Sequence, residues 1–186
     1  MAFAVKSCFD VVLWFSDKAL NTNEYIQPQK MQRLIFLAQA YYSVAYPGRK
    51  LMPATFVTDA FGPVEPTVFH ALAYGRPPML DPNPVSDQVA QFLDGIWRRF
   101  GTSGADVLTR KVSEHPAVAA AMRKGLNEEI PLAAMVKYYA DAARAKTGAA
   151  AEDAAQVIKP RLMRSQGGKA VAVTAWAPKA LGKKPD

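Results

Sequence analysis

Apolar residues recur at helical spacing in several segments of this chain, and this spacing predicts a mainly helical fold. The first such segment, residues 4–20, carries one apolar stripe made of Val5, Phe9, Val12, Leu13 and Leu20. The second opens at Pro28, which suits the first turn of a helix because no N–H is needed there. Residues 30–44 follow and are apolar on most sides, so we expect this helix to lie in the middle of the core.

Helical spacing returns in the second half of the chain. Ser86 is placed to cap a helix whose apolar stripe runs to Phe100, and Gly101 is placed to end it. Three further starts are predicted, at Ser103, Pro116 and Pro131. A weak helix is predicted from Ala149 to Ile158.

Residues 47–84 interrupt the helical pattern, because 8 of the 14 prolines fall there and proline breaks helices beyond their first turn. Residues 54–60 contain the β-branched and aromatic sequence TFVT, which predicts a short extended segment. Residues 61–64 predict a turn that leads into a short helix over 67–74. Arg76 to Pro84 should then be a surface loop.

Positive charge is concentrated at the C-terminal end. Residues 1–140 contain 14 Lys and Arg against 12 Asp and Glu, whereas residues 141–186 contain 9 against 4. The second range is also rich in alanine, lysine and glycine, and within it residues 170–176 are predicted to be extended. The sequence therefore predicts a single compact, mainly α domain over 1–140 and a basic, partly flexible extension over 141–186.

Residues with catalytic potential are sparse. The two histidines, His70 and His115, lie in no catalytic or zinc-binding motif, and Ser103 lacks the glycines of a nucleophile elbow. Gly167-Gly168-Lys169 lacks the remaining residues of a phosphate loop. We therefore expect no enzyme, no metal site and no cofactor.

The lone cysteine, Cys8, has no intrachain partner for a disulfide, which favours a reducing compartment and a buried, inert thiol. No run of about 18 uncharged apolar residues is present, so no membrane span is predicted. These two features predict a cytoplasmic protein that does not interact with membranes.

Two stretches of the chain resemble the Panacea domain, a family of antitoxins. The first runs from Pro28 to Gln39, and the second, from Asp59 to Phe69, contains a glycine-proline-valine turn. Weaker similarity continues through 96–101, 105–108, 115–116 and 130–139, so that the resemblance spans most of residues 5–140. The chain departs from the family at Ala117, where a tryptophan is common.

The resemblance implies an antitoxin encoded beside a toxin, with the cognate toxin protein as its partner. SocA-like members also deliver the toxin to ClpX, the unfoldase of the ClpXP protease, whereas other members neutralise by binding alone. The partner-binding residues that the family signature implies are Lys30, Tyr41, Tyr42, Asp59, Gly62, Pro63 and Val64, to which Trp176 is added from the basic extension. An equally good interpretation is that the signature residues build the fold.

The basic extension leaves two questions open. It could contact the protease or fold against the toxin, with the body binding the toxin in either case. Nucleic acid is a further partner that we favour less, because the basic residues Lys159, Arg161, Arg164 and Lys169 have no aromatic neighbour beyond Trp176 on which bases could stack. A DNA-binding regulator of its own operon is thus the main alternative function.

Overall fold

The computed structural model describes residues 2–73, 83–145 and 147–158, and the backbone of residues 162–164 and 170–172. Within these ranges the helices are α1 (Cys8–Asn21), α2 (Pro28–Ala45), α3 (Pro66–Leu72), α4 (Asp87–Phe100), α5 (Ala105–Ser113), α6 (Pro116–Lys124), α7 (Leu132–Arg144) and α8 (Ala149–Ile158). The strands are β1 (Ala2–Phe3), β2 (Arg49–Lys50), β3 (Val57–Asp59), β4 (Gly62–Val64), β5 (Leu162–Arg164) and β6 (Ala170–Ala172). The predicted mainly α fold is confirmed.

Helix α1 begins later than its apolar stripe, because a capping box fixes its start. The Phe9 N–H donates to Ser7 Oγ at 3.2 Å, and the Ser7 N–H donates to Asp10 Oδ2 at 3.0 Å. Residues 4–7, which were predicted to be helical, therefore precede the helix.

Helix α2 is the axis of the domain, as its apolar sequence predicts. It opens with Pro28 in its first turn, and every residue from 31 to 43 is buried. Helices α4, α5, α7 and α8 all pack against it. Aromatic side chains fill the contacts: the Phe36 and Phe56 rings meet edge to face at 5.2 Å, and the Tyr41 and Tyr139 rings are 4.5 Å apart.

The expected extended segment is present, but the turn after it was placed wrongly. Strands β3 and β4 form an antiparallel hairpin in which Thr58 pairs with Pro63 and Asp59 pairs with Gly62. The turn lies at residues 60–61, and Gly62–Val64 is a strand. Pro63 lacks an N–H, which is tolerated because β4 is an edge strand that pairs with β3 alone.

The second half of the chain follows the predicted order of helices with one error. Ser86 caps α4 and Gly101 ends it, as predicted. Ser103 does not cap α5, because the chain reaches helical geometry one residue later and Gly104 occupies the N-cap position. Pro116 opens α6, and Pro131 stands at the N-cap of α7.

The predicted helix at Ala149–Ile158 is confirmed as α8, and it belongs to the body of the protein. It packs against α4 and α7, and its Ala154 and Val157 are buried. Asp153 is buried as well and forms ion pairs with Arg99 of α4 and Lys111 of α5. The compact body therefore reaches residue 158, beyond the boundary at 140 that composition suggested.

The last described residues form a small hairpin, in which β5 pairs with β6 in antiparallel register. The extended conformation predicted for residues 170–176 is thus observed over Ala170–Ala172. Most of the predicted loop from Arg76 to Pro84 lies outside the described residues, as does Trp176.

His115 is buried in the core and holds the start of α6. The Ala117 N–H donates to its Nδ1 at 3.0 Å, so Nε2 carries the proton of the neutral ring and points at the Met135 carbonyl, 3.4 Å away. Burial lowers the pKa of His115, and hydrogen bonds with backbone groups only partly oppose this shift. The folded protein therefore favours the neutral ring.

We expect stability to fall as the pH drops below about 6.5, the ordinary pKa of an unfolded histidine, because the unfolded chain then binds a proton that the folded chain resists. Above that pH the His115 contribution is fully present. The change His115→Asn keeps a capping oxygen but removes the titration, so its urea midpoint should depend less on pH between 7 and 5. His70→Asn, at an exposed position on α3, is the control and should keep the slope of the unchanged protein. Equal slopes for all three proteins would contradict this role of His115.

Candidate partner-binding site

The two stretches that resemble the Panacea domain meet in space. Helix α2 contains the first stretch, and the β3–β4 hairpin with α3 contains the second. Four polar side chains of α2 are buried although they lie on the central helix of the core, and three of them, Gln32, Arg33 and Gln39, reach a neighbouring segment. Each of these three binds backbone groups of the segment between residues 52 and 65.

Arg33 holds the turn of the hairpin. Its two terminal nitrogens donate to the carbonyl oxygens of Phe61 and Pro63, and its Nε donates to Thr109 Oγ1 of α5 at 3.1 Å. Burial lowers the pKa of Arg33 to about 10, and the nearby Asp59 carboxylate opposes this shift. The guanidinium is therefore still charged at neutral pH and acts as a fixed donor beneath the turn.

Gly62 is required by this contact. Its φ is +116°, a backbone conformation that side chains disfavour, and an added Cβ would lie 3.0 Å from Arg33 Nη2. Any larger residue would strain the turn and push the guanidinium away. Gly62 therefore has a structural reason to stand in the signature.

Gln32 and Gln39 anchor the segment on either side of the hairpin. The Glu65 N–H donates to Gln32 Oε1 at 2.8 Å, and the Glu65 side chain in turn caps α3 by accepting from the Val68 N–H at 2.7 Å. Gln39 pairs with both backbone groups of Met52, at 3.1 and 3.2 Å. Buried polar groups with partners of this kind fix one arrangement of the chain, because losing a partner leaves the other group unsatisfied.

The site residues predicted from the signature separate into buried and half-buried groups. Tyr41, Tyr42, Gly62, Pro63 and Val64 are buried. Their burial is consistent with a role in building the fold, which is the alternative interpretation that the sequence left open.

Lys30 and Asp59 are half-buried. Lys30 Nζ lies 5.7 Å from the centre of the Trp97 ring, and Asp59 accepts from the Phe61 N–H at 3.3 Å. The structure thus gathers Asp59 and Gly62–Val64 in the hairpin, and it places Lys30, Tyr41 and Tyr42 elsewhere along α2. Trp176 lies outside the described residues.

Sequence reasoning missed the residue that the hairpin exposes. Phe61 stands at the turn between β3 and β4, and 69% of it is accessible to solvent. Only a partial signal was present in the sequence, since Phe61 lies in a predicted turn, where an aromatic residue has few neighbours to cover it. The turn predicted at residues 61–64 does not show which of its residues faces solvent.

Residues 125–130 run antiparallel to β3 and begin near the same turn. Asn127 N–H donates to the Thr58 carbonyl at 2.8 Å, and Thr58 Oγ1 donates to the Gly125 carbonyl at 2.7 Å. This pairing carries Leu126, which is 64% exposed, past Thr58 toward the turn. Met122 is also exposed and lies one turn earlier, in the last turn of α6, which packs on the hairpin. We call Phe61, Met122 and Leu126 the tip surface.

A second group of exposed apolar side chains lies at the α1–α2 corner, where Leu20 is 65% and Tyr25 is 80% exposed. Backbone bonds from Asn23 to Leu20 and from Glu24 to Ala19 form this corner. It therefore offers positions whose exposure matches that of the tip surface.

Within 2–73, 83–145 and 147–158, no three His, Cys, Asp or Glu side chains are grouped so as to hold a metal ion. Burial raises the pKa of the Cys8 thiol, with a smaller effect from Glu65, so that a thiolate is disfavoured there. In the same part of the chain, no helix is both long and apolar enough to cross a membrane.

Comparisons with known proteins give no match to a family model, to a curated protein or to a solved structure. The resemblance to the Panacea domain therefore rests on the two residue stretches described above. What the structure adds is that these stretches form one connected unit.

Proposed function

We propose that this protein is an antitoxin that neutralises a toxin encoded beside it by direct contact, and that it delivers this toxin to the ClpXP protease. The observation that carries the proposal is the hairpin turn, where buried Arg33 fixes the signature residues and leaves Phe61 exposed. Exposed apolar groups on a rigid surface are typical of protein-binding sites. A binding function needs no catalytic group.

Delivery to a protease is the finer part of the proposal, and it rests on the SocA-like resemblance. An adaptor needs one surface for its cargo and one for the unfoldase, because tethering raises the effective concentration of the cargo near the enzyme. The chain offers the tip surface for one of these roles and the basic residues beyond position 158 for the other. Toxin neutralisation without degradation is the simpler form of the same function.

The proposed function predicts rescue from toxicity. Co-expression with the product of the neighbouring open reading frame should restore growth and yield a complex that co-purifies, and the half-life of that product should shorten only in cells that contain ClpX. If growth is restored but the half-life of the partner does not change, the protein neutralises the toxin without delivering it to the protease. Absence of both rescue and complex would remove the antitoxin function for this pair.

A truncated variant separates the body from the extension. A chain that ends after residue 159 keeps α8 and its Asp153 ion pairs, so it should fold and still bind the toxin. If the extension contacts the protease, this variant should bind and rescue while the toxin becomes stable. Unchanged binding and unchanged degradation would remove any role for the extension.

A further inference from the structure

We propose that the tip surface is the toxin-binding surface, and that Phe61 inserts into an apolar pocket with an acidic rim on the toxin. This inference rests on the proposed function for the identity of the partner. It adds the contact residues and the chemistry that the partner must offer.

Apolar exposure is the first argument. Phe61 and Leu126 are 69% and 64% exposed, and the antiparallel pairing along β3 brings both toward the same turn. Aromatic side chains near the centre of an interface commonly carry much of its binding energy. Phe61 has the size and position of such an anchor.

Rigidity is the second argument. The carbonyl of Phe61 is held by Arg33 and its N–H by Asp59, so both backbone groups of the exposed residue are already bound. Thr58, one pair further down the hairpin, is tied to residues 125–128 by bonds of 2.7 to 3.0 Å. A preformed anchor loses little conformational entropy on binding, which raises affinity.

Charge is the third argument and determines the polarity of the partner. Arg123 and Lys124, the last two residues of α6, are exposed beside the tip surface. Asp59 lies near buried Arg33, which balances its charge. Exposed Glu129 lines a cleft that also contains Lys50, so of the two glutamates in residues 125–130 only half-buried Glu128 is set against the two cations. The rim is therefore net positive and complements an acidic protein surface.

The exposed apolar residues of the α1–α2 corner have acidic neighbours, whereas the rim of the tip surface is net positive. Leu20 and Tyr25 lie among the acidic residues Asp17 and Glu24, and the corner contains none of the signature residues. Because its apolar side chains are about as exposed as Phe61 and Leu126, the corner serves as the control for the tip surface.

The decisive experiment measures the dissociation constant of the purified complex with the toxin. Phe61→Ser and Leu126→Ser should weaken binding, the first by about 30-fold or more, as expected for an interface anchor. Leu20→Ser and Tyr25→Ser match them in exposure and should leave the constant within about 2-fold, because isolated surface residues outside an interface contribute little. Circular dichroism and urea unfolding check that all four variants are folded.

Charge reversal tests the acidic rim. The double change Arg123→Glu and Lys124→Glu should weaken binding and remove the salt dependence of the affinity. The control, Lys6→Glu with Lys137→Glu at two other exposed lysines, should leave the affinity and its salt dependence unchanged. Unchanged affinity in Phe61→Ser, or an equal loss in the corner variants, would overturn the proposal while leaving the antitoxin function intact. Loss of duplex DNA binding in the charge-reversed protein, with toxin binding unchanged, would also overturn it and indicate a nucleic-acid surface.

A crosslinking experiment tests the tip surface independently of the antitoxin function, in case the product of the neighbouring open reading frame does not bind at all. In that case the antitoxin function fails for this pair, and benzoylphenylalanine placed at position 61 or at position 25 still tests the surface in cells. Mass spectrometry identifies the partner in any adduct, and this partner is then purified. An adduct formed only from position 61 supports the tip surface as the binding surface if this partner binds the unchanged protein but not Phe61→Ser. No adduct from position 61, or equal adducts from both positions, overturns it.

Discussion

Replacing Arg33 by methionine should destabilise the protein by about 3 kcal/mol, because the carbonyl oxygens of Phe61 and Pro63 and the hydroxyl of Thr109 then lose a buried donor together. Methionine has a similar length and fills the same space, so the loss reports hydrogen bonds more than packing. The measurement is the free energy of unfolding in urea. The toxin complex should weaken as well, since Phe61 would no longer be held in place.

Two further variants serve as controls for Arg33→Met. Arg33→Lys keeps the charge, but its single nitrogen cannot reach all three acceptors that the planar guanidinium spans, so it should recover only part of the stability. Arg98→Met removes an arginine whose ion pair with Asp94 is exposed, and a loss of no more than about 1 kcal/mol is expected. A loss below about 1 kcal/mol in Arg33→Met would mean that the freed carbonyl groups bind water and that the turn does not depend on this residue.

Replacing Asp153 by asparagine should cost about 2 kcal/mol and loosen α8. The carboxylate is buried between Arg99 and Lys111, and the amide would leave both cations without a countercharge. The loss stays moderate because the two cationic side chains are 31% and 27% exposed and can regain water. Urea unfolding gives the free energy, and hydrogen exchange of the α8 amides shows whether this helix opens first.

Asp141→Asn is the matched control for this change. Asp141 also pairs with an arginine, Arg144, but at 3.5 Å and with both side chains largely exposed. Such pairs contribute no more than about 1 kcal/mol. Equal losses of unfolding free energy in Asp141→Asn and Asp153→Asn would contradict the view that burial makes the ion pairs of Asp153 important.

The sequence predicted the elements whose signals are local. The stripe of α4 and the proline in the first turn of α2 determine those helices within their own residues, and both predictions are confirmed. The strand at Gly62–Val64 was missed because Arg33, thirty residues earlier, binds the carbonyl groups around it. A pattern that covers only neighbouring residues cannot show such a contact.

The candidate site was predicted in part for the same reason. The signature pointed to the hairpin but named its buried residues, since resemblance does not distinguish a residue that binds a partner from one that shapes a turn. Asp153 lies in the range 141–186 that composition assigns to the basic extension, and only the packing of α8 shows that its charge is buried. Exposure of Phe61 likewise depends on where the hairpin lies on the body.

The polar bonds from α2 have a consequence for the order in which the chain folds. Those that bind the segment between residues 52 and 65 join residues close in sequence, such as Gln39 to Met52 and Gln32 to Glu65, separated by 13 and 33 positions. Closing short loops costs less entropy than closing long ones, so these contacts are favoured early. We therefore expect α2 and the hairpin to associate on the ribosome as soon as about 70 residues are free of the exit tunnel, and α4 to α8 to enclose a unit that has already formed.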